Sequence, residues 1–309
     1  MPINIPSGLP AASVLADENV FIMTEERAIS QDIRPMRIAI VNLMPTKIIT
    51  ETQLLRMLSN SPLQVNPVFI KTETHQPSHV SLEHLERFYV NFSQVKNQKF
   101  DGMIITGAPV ENIAFEDVNY WDELKEIIEF SHRNVFSSLY ICWGAQAALY
   151  HRYQVPKHSL PEKMFGVFEH RINTKADQIF RGFDDVFFAP HSRHTEIRKE
   201  DIIKVPDLKI VAESPQSGIF VVSSKDGRQI YATGHLEYDA DTLHREYVRD
   251  KERGLAIKLP ANYYPDDDPA QAPVVNWRAH GHLFFANWLN YYVYQEAPYE
   301  LNGFNGTKK

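Results

Sequence analysis

The sequence is nearly without thiols: Cys142 is the single cysteine in 309 residues, so an intrachain disulfide is excluded. It also lacks any apolar run long enough to span a bilayer, and its opening stretch, MPINIPSGLPAASVLADENV, has no basic segment followed by an apolar one. Neither a membrane protein nor a secretory leader is expected, and the cytoplasm is the expected compartment. No block of Lys or Arg interleaves with aromatics, and the formal net charge is -7, so the electrostatic term that dominates nucleic-acid binding is missing. Metal-ligand spacing is missing too. Of 13 histidines, the closest groupings are His191 with His194 in HSRHTE and His280 with His282 in RAHGHLFF, and neither has a third ligand at a metalloprotease-like spacing. These pairs read as structural or substrate contacts, and no metal is expected.

What remains is an ordinary globular composition, 43% hydrophobic and 23% charged, on a chain long enough to bury a large core. Residues 1–35 mix Pro, Ala and Glu without sustained periodicity and are expected as an N-terminal arm; residues 36–309 read as a single α/β domain. MRIAIVNLMP, from Met36, is a continuous apolar run suited to a strand buried on both faces, and TKIITETQLLRMLSN after it is helix-length with Thr46 as N-cap. The pattern then repeats: LQVNPVFIK as strand, SLEHLERFYV as helix, FDGMIITGAP as strand, DVNYWDELKEIIEFSH as helix, VFSSLYIC as strand and WGAQAALYHRY as helix. Such alternation implies right-handed crossovers and a mostly parallel sheet with helices on both faces. Beyond Val155 the strands KMFGVFEHRI, DVFFAP, LKIVAES, GIFVVSS and RQIYATGHLE follow one another, which predicts an antiparallel extension. Two helices close the chain, separated by the long Pro/Asp connection KLPANYYPDDDPAQAP. The aromatic stretch FFANWLNYYVYQ is expected in the core, with a homodimer face as the alternative.

This layout puts Cys142 where the fourth predicted strand, an inner one, meets a helix, at the C-terminal sheet edge where ligands bind in open parallel sheets. A sharp strand-to-helix turn there exposes the side chain, points the first helix amides at whatever it attacks, and favours the thiolate. Gly144 and Ala145 keep the turn uncrowded. The backbone N–H of Trp143, next after the nucleophile, is the first choice for an oxyanion donor. A base is supplied by YATGHLEYDA, where His235 and Glu237 occupy alternate positions of an extended stretch and therefore share a face. His235 would take a proton and Glu237 would orient the imidazole. The spacing alone supports a thiol-based acyl transferase or hydrolase.

ICWGAQ followed far downstream by GHLE resembles the class I glutamine amidotransferase-like superfamily. VNLMPTK, TGAP, YICWGAQAAL, GVFEH, APHSRHTE, TGHLEYDADTL, NYYPDDDP and NWLNYYVYQ, in this order, resemble the homoserine O-acyltransferase family, also called homoserine trans-succinylases. The resemblance implies acyl transfer from an acyl-CoA to L-homoserine in methionine biosynthesis, by a ping-pong mechanism through acyl-Cys142, with the thioester as co-substrate and no further cofactor. It implies Lys47 as a second oxyanion donor and Lys163, Ser192 and Arg249 as substrate contacts. It also bears on the acyl group: the position two residues after the GAP proline is glycine in succinyl users and glutamate in acetyl users, and here it is Glu111. Acetyl-CoA is therefore the expected donor, with succinyl-CoA the alternative. A cysteine glutaminase of the same fold shares the triad types, but it would usually feed ammonia to a synthetase domain, and none is recognisable in the sequence.

Overall fold

Strands form where branched apolar residues run without interruption, and their burial shows why. The computed structural model describes residues 3–6, 8–18, 22–24, 34–74, 80–174, 177–298 and 301. Among these, β1 (Ile3–Ile5), α1 (Ala11–Asp17) and β2 (Ile22–Thr24) precede the first long strand, β3 (Met36–Val41). The chain continues through α2 (Lys47–Ser59), β4 (Val65–Lys71), α3 (Leu82–Phe88), β5 (Tyr89–Asn91), α4 (Phe92–Val95), β6 (Phe100–Ile105), α5 (Trp121–Asn134), β7 (Val135–Ile141) and α6 (Trp143–Tyr153). Every residue of β6 and β7 is buried. Their side chains sort by parity: Ile38, Ile40, Ile104, Leu139 and Ile141 join the core on one face, and Ala39, Val41, Met103, Ile105 and Tyr140 the core on the other. A two-residue period with both faces covered by helices is the physical basis of the continuous apolar runs.

The second half supplies β8 (His158–Ile172), β9 (Val186–Glu196), α7 (Lys199–Ile202), β10 (Leu208–Ser214), β11 (Gly218–Ser224), β12 (Gln229–Ala232), α8 (Thr242–Glu252) and α9 (Arg278–Asn287), the last running into a π-helical segment, Trp288–Tyr294. The strands form one sheet in the order β2-β1-β4-β3-β6-β7-β12-β11-β10-β8-β9, with β5 added alongside β4. Pairing is parallel from β2 to β12 and antiparallel from β12 to β9. The α/β class, the parallel core and the antiparallel extension are thus as the sequence predicts. Within residues 1–35, Ile3–Ile5 and Ile22–Thr24 add parallel strands at the sheet edge, and Ala11 and Leu15 of α1 are buried in the core. Trp288 and Leu289 of the aromatic C-terminal stretch are fully buried, and the Trp288 indole N–H donates to Ser137 Oγ of β7 at 3.0 Å.

Three local expectations are corrected. SLEHLERFYV is not one helix: the chain leaves α3 at Phe88 because Tyr89, Val90 and Asn91 pair with Phe69, Ile70 and Lys71 of β4. Thr46 does sit at the N-cap of α2, but its side chain makes no capping hydrogen bond. The RQIYATGHLE strand ends at Ala232, so His235 and Glu237 lie in a turn beyond it and do not alternate along a strand.

Candidate active site

The site is assembled at the C-terminal edge of the parallel strands. β12 runs beside β7 with Ala232 opposite Ile141, so the residues following these two strands emerge side by side. Cys142 bridges β7 and α6 with φ 52° and ψ -118°, a left-handed conformation that a non-glycine residue adopts at a cost of about 1–3 kcal/mol. Its N–H donates to Ala232 O at 2.7 Å, and its carbonyl accepts from the N–H groups of Ala145 and Gln146. The elbow is tight enough to dictate its neighbours. A Cβ at Gly144 would fall 2.5 Å from Thr106 O, and one at Gly107 would meet Cys142 Cβ at 3.2 Å. Trp143, the first residue of α6, has the unshared amide expected at a helix N-terminus.

His235 and Glu237 meet through the turn. His235 Nδ1 lies 2.6 Å from Glu237 Oε1, both side chains are buried, and the other ring nitrogen is left free of Glu237, with Cys142 close enough to act on the imidazole's charge. The turn is anchored by His235 N–H donating to Pro190 O at 2.8 Å. A side chain at Gly234 is forbidden by the His191 and Phe220 rings, each 2.8 Å from the position of its Cβ. Burial alone would push the His235 pKa down; the Glu237 charge, with Cys142 beside it, overrides this and holds it well above the usual histidine value. Tyr238 stacks on the imidazole with ring centroids 4.1 Å apart and fixes its plane.

Lys47 opens α2 on the adjoining loop. Its ammonium donates to Asn42 O at 2.5 Å and Met44 O at 3.4 Å. The loop is tied toward Cys142 by Leu43 N–H donating to Thr106 Oγ1 at 2.8 Å, next to the Gly107 that packs on the cysteine. The Lys47 pKa is lowered to about 8, mainly by burial, against which the Glu51 charge acts and to which the charge of Lys71 adds. A cavity of about 190 Å³ at this edge is lined by Asn42, Met44, Lys47, Lys71, Pro109 and Val110, among others. Glu111 follows Val110 in a turn whose carbonyl oxygens, those of Glu111 and Ile113, accept from Lys157 Nζ at 2.7 and 2.5 Å. Its side chain is partly buried.

Lys163, Ser192 and Arg249 gather on the other side, around acids of α8. Lys163 Nζ lies 3.1 Å from Glu246 Oε2 and 3.3 Å from Asp250 Oδ2; Ser192 Oγ donates to Glu246 Oε2 at 2.5 Å; Arg249 Nε donates to Asp250 Oδ1 at 2.7 Å. The cluster connects to the base, because the hydroxyl of the same Tyr238 that stacks on His235 donates to Glu246 Oε1 at 3.4 Å. The Pro/Asp connection braces it: Gly166, with φ 146°, lets Ala261 pack against β8 where any side chain would overlap its backbone, and Tyr263 OH donates to Ala240 O just before α8.

A buried thiol on a strained elbow, an adjoining imidazole–carboxylate pair and a lysine at the same edge make an arrangement suited to acyl transfer. A family model described as homoserine O-succinyltransferase matches residues 2–299. The chain belongs to the homoserine O-succinyltransferase family. Relatives named homoserine O-acetyltransferase match over full length: the one from Clostridium acetobutylicum is 58% identical over 97% of this chain and 100% of its own. The one from Thermotoga neapolitana is 60% identical over 97% and 99%. Among solved structures, a glutamine amidotransferase from Methylobacillus flagellatus superimposes with a TM-score of 0.50 over 87% of this chain and 99% of that one; at 13% identity the likeness speaks for the fold alone.

Lys47, Glu111 and Trp143 thus lie on the loops and helix starts that follow the parallel strands, and Lys163, Ser192 and Arg249 form a second group that connects to His235 through Tyr238. Sequence reasoning missed Glu246, the acid on which Lys163, Ser192 and Tyr238 all converge. Its signal was present: Glu246, Arg249 and Asp250 are spaced i, i+3, i+4, one face of a helix. The histidine pairs have other duties. His191 is fully buried against His170, with Nε2 atoms 3.0 Å apart, and accepts from Arg193; His280 lies 3.5 Å from Asp184. No helix among the described residues is long and apolar enough to cross a membrane.

Proposed function

We propose that this chain is a homoserine O-acetyltransferase, moving the acetyl group of acetyl-CoA to the hydroxyl of L-homoserine through an acetyl-Cys142 intermediate, with acetyl-CoA as co-substrate and no other cofactor. The observation that carries this reading is the Cys142 elbow on β7 beside the turn after β12 that bears His235, with Glu237 2.6 Å behind the imidazole. His235 takes the thiol proton, and the Cys142 thiolate attacks the thioester carbon. The tetrahedral oxyanion forms where the Trp143 N–H and the Lys47 ammonium can receive it. Collapse breaks the bond to the CoA sulfur, which leaves with the proton from His235. The homoserine hydroxyl then gives its proton to His235 and attacks the acetyl carbon, and a second collapse releases O-acetylhomoserine and restores the thiolate–imidazolium pair. This is ping-pong chemistry with atoms and charge balanced.

The acceptor is a zwitterion. Glu246 suits its ammonium, and Arg249, whose guanidinium is half-exposed beyond its contact with Asp250, suits its carboxylate. Acetyl is favoured as donor by Glu111: the far end of a succinyl chain is a carboxylate that would face a second carboxylate, whereas acetyl ends in a methyl. A thiol-release assay tests the reading. Acetyl-CoA with homoserine should liberate CoA and glutamine should yield no ammonia; ammonia without CoA release overturns it, and preference for succinyl-CoA overturns the acyl assignment.

A further inference from the structure

Behind Lys47 lies a polar network that the steps above do not use. Glu51 is one helical turn further along α2, on the same face, and is completely buried. His84 Nε2 lies 3.0 and 3.1 Å from the two Glu51 oxygens, and the carboxylate accepts from Tyr89 OH at 2.6 Å. Tyr89 OH in turn accepts from Asn42 Nδ2 at 2.9 Å. Asn42 is the residue that shapes the loop before Lys47: its Nδ2 also reaches Lys47 O, its Oδ1 accepts from Met44 N–H at 3.2 Å, and its backbone carbonyl is the nearer acceptor for the Lys47 ammonium. The Tyr89 ring lies beneath that ammonium, 5.5 Å from Nζ to centroid. A buried carboxylate with no role in the core costs stability, so one placed here calls for a purpose.

We propose that Glu51 is the positioning residue for Lys47: through Tyr89 and Asn42 it fixes the loop that aims the ammonium, and through space its charge keeps that ammonium protonated at the point where oxyanion charge develops. The proposal rests on the acyl-transfer reading of the site. The groups facing Lys47 are Glu51 from its own helix, Lys71 from the end of β4 and Tyr89 from β5, with His84 of α3 packed behind them against Glu51 and the Tyr89 ring. Lys71 disfavours the charged form and stays in place in every variant below; Glu51 is the group that favours it. Its distance matters as much as its sign. A carboxylate in direct contact would form an ion pair and leave Lys47 little to offer an oxyanion, whereas one held behind Tyr89 supports the charge and leaves the N–H groups available.

The sign of the pH effect follows. Lys47 is charged below its pKa, which burial has brought to about 8. Removing the Glu51 charge removes the influence opposing burial, so the pKa falls further and the neutral amine appears at lower pH. In Glu51→Gln, which keeps an acceptor for Tyr89, the alkaline limb of kcat/KM for acetyl-CoA should move toward acid by about one pH unit. Trace labelling of lysines with acetic anhydride, read by peptide mass spectrometry across pH, should show the same displacement for Lys47 without reference to turnover. A uniform loss of rate with the limb and the labelling curve unmoved overturns the proposal, as does a wild-type profile. If Glu51→Gln is not recovered folded, Tyr89→Phe decides: kcat should fall roughly tenfold with both KM values unchanged, and wild-type kcat overturns it. Lys47→Met separates the two layers. If it is inactive while Glu51→Gln behaves as wild type, only the role of Glu51 fails; if Lys47→Met itself is fully active, the oxyanion role of Lys47 fails first.

Discussion

Lys47 and Lys163 stand on opposite sides of the Cys142–His235 pair, and their surroundings differ in kind. Lys47, on the parallel half, is held by two backbone carbonyls and has its acid, Glu51, one turn away behind Tyr89. Lys163, on the antiparallel extension, touches Glu246 and Asp250 directly. Carbonyl dipoles orient an ammonium without neutralising it, so Lys47 keeps its positive potential at this edge. Direct carboxylates offset the other lysine, and with Arg249 in the same cluster two cations face two acids, Glu246 and Asp250. Two residues of one type thus differ in how much of their charge is offset, because of what lies within 4 Å of each.

The largest effect should come from removing the atom on which both sides converge: Cys142→Ala should abolish turnover, since no other thiol exists to replace it. Near-wild-type rates in that variant would end the account. His235→Asn should lower kcat by several orders of magnitude, and Glu237→Gln by less, because the carboxylate orients and supports the imidazole without exchanging a proton with substrate. Equal, small losses in a steady-state comparison would assign the pair a structural role. The comparison of the two sides is sharpened by Glu246→Gln, which should raise the homoserine KM roughly tenfold or more while leaving the CoA burst with acetyl-CoA alone intact; a diminished burst would show that the two sides are not separable. Smallest is Glu111→Gly, which should lower the ratio of kcat/KM for acetyl-CoA to that for succinyl-CoA, with an unchanged ratio counting against Glu111 as the discriminating residue.

The parallel core was legible in the sequence because strands buried on both faces leave uninterrupted apolar runs, as in Phe100–Ile105 and Val135–Ile141. The extension was legible only in part. β8 begins at His158, in the mixed stretch HSLPEK, and β9 continues through HSRHTE to Glu196, polar sequences in which His158 and Ser159 pair with Glu196 and Thr195 and the register shifts before Met164 meets Arg193. The nucleophile and its partners could be found because they stand on short motifs beside glycines. The reason given for His235 and Glu237 sharing a site was strand alternation, but the chain turns after Ala232, and their contact depends on the anchor at Pro190 O. Glu246 and Glu51 escaped notice for a common reason. An acid on an amphipathic helix reads as a solvated face unless the partner elements are known, and here those partners, Lys163 and Tyr89, are 83 and 38 residues away in the chain.

The central claim is that acyl transfer passes through Cys142. Its most direct test is the mass of the intact protein after brief exposure to acetyl-CoA without homoserine, followed by peptide mapping. The account predicts one added acetyl group on the Cys142 peptide, formed together with an equivalent of free CoA and discharged when homoserine is supplied. An unmodified Cys142 accompanied by normal turnover would contradict it.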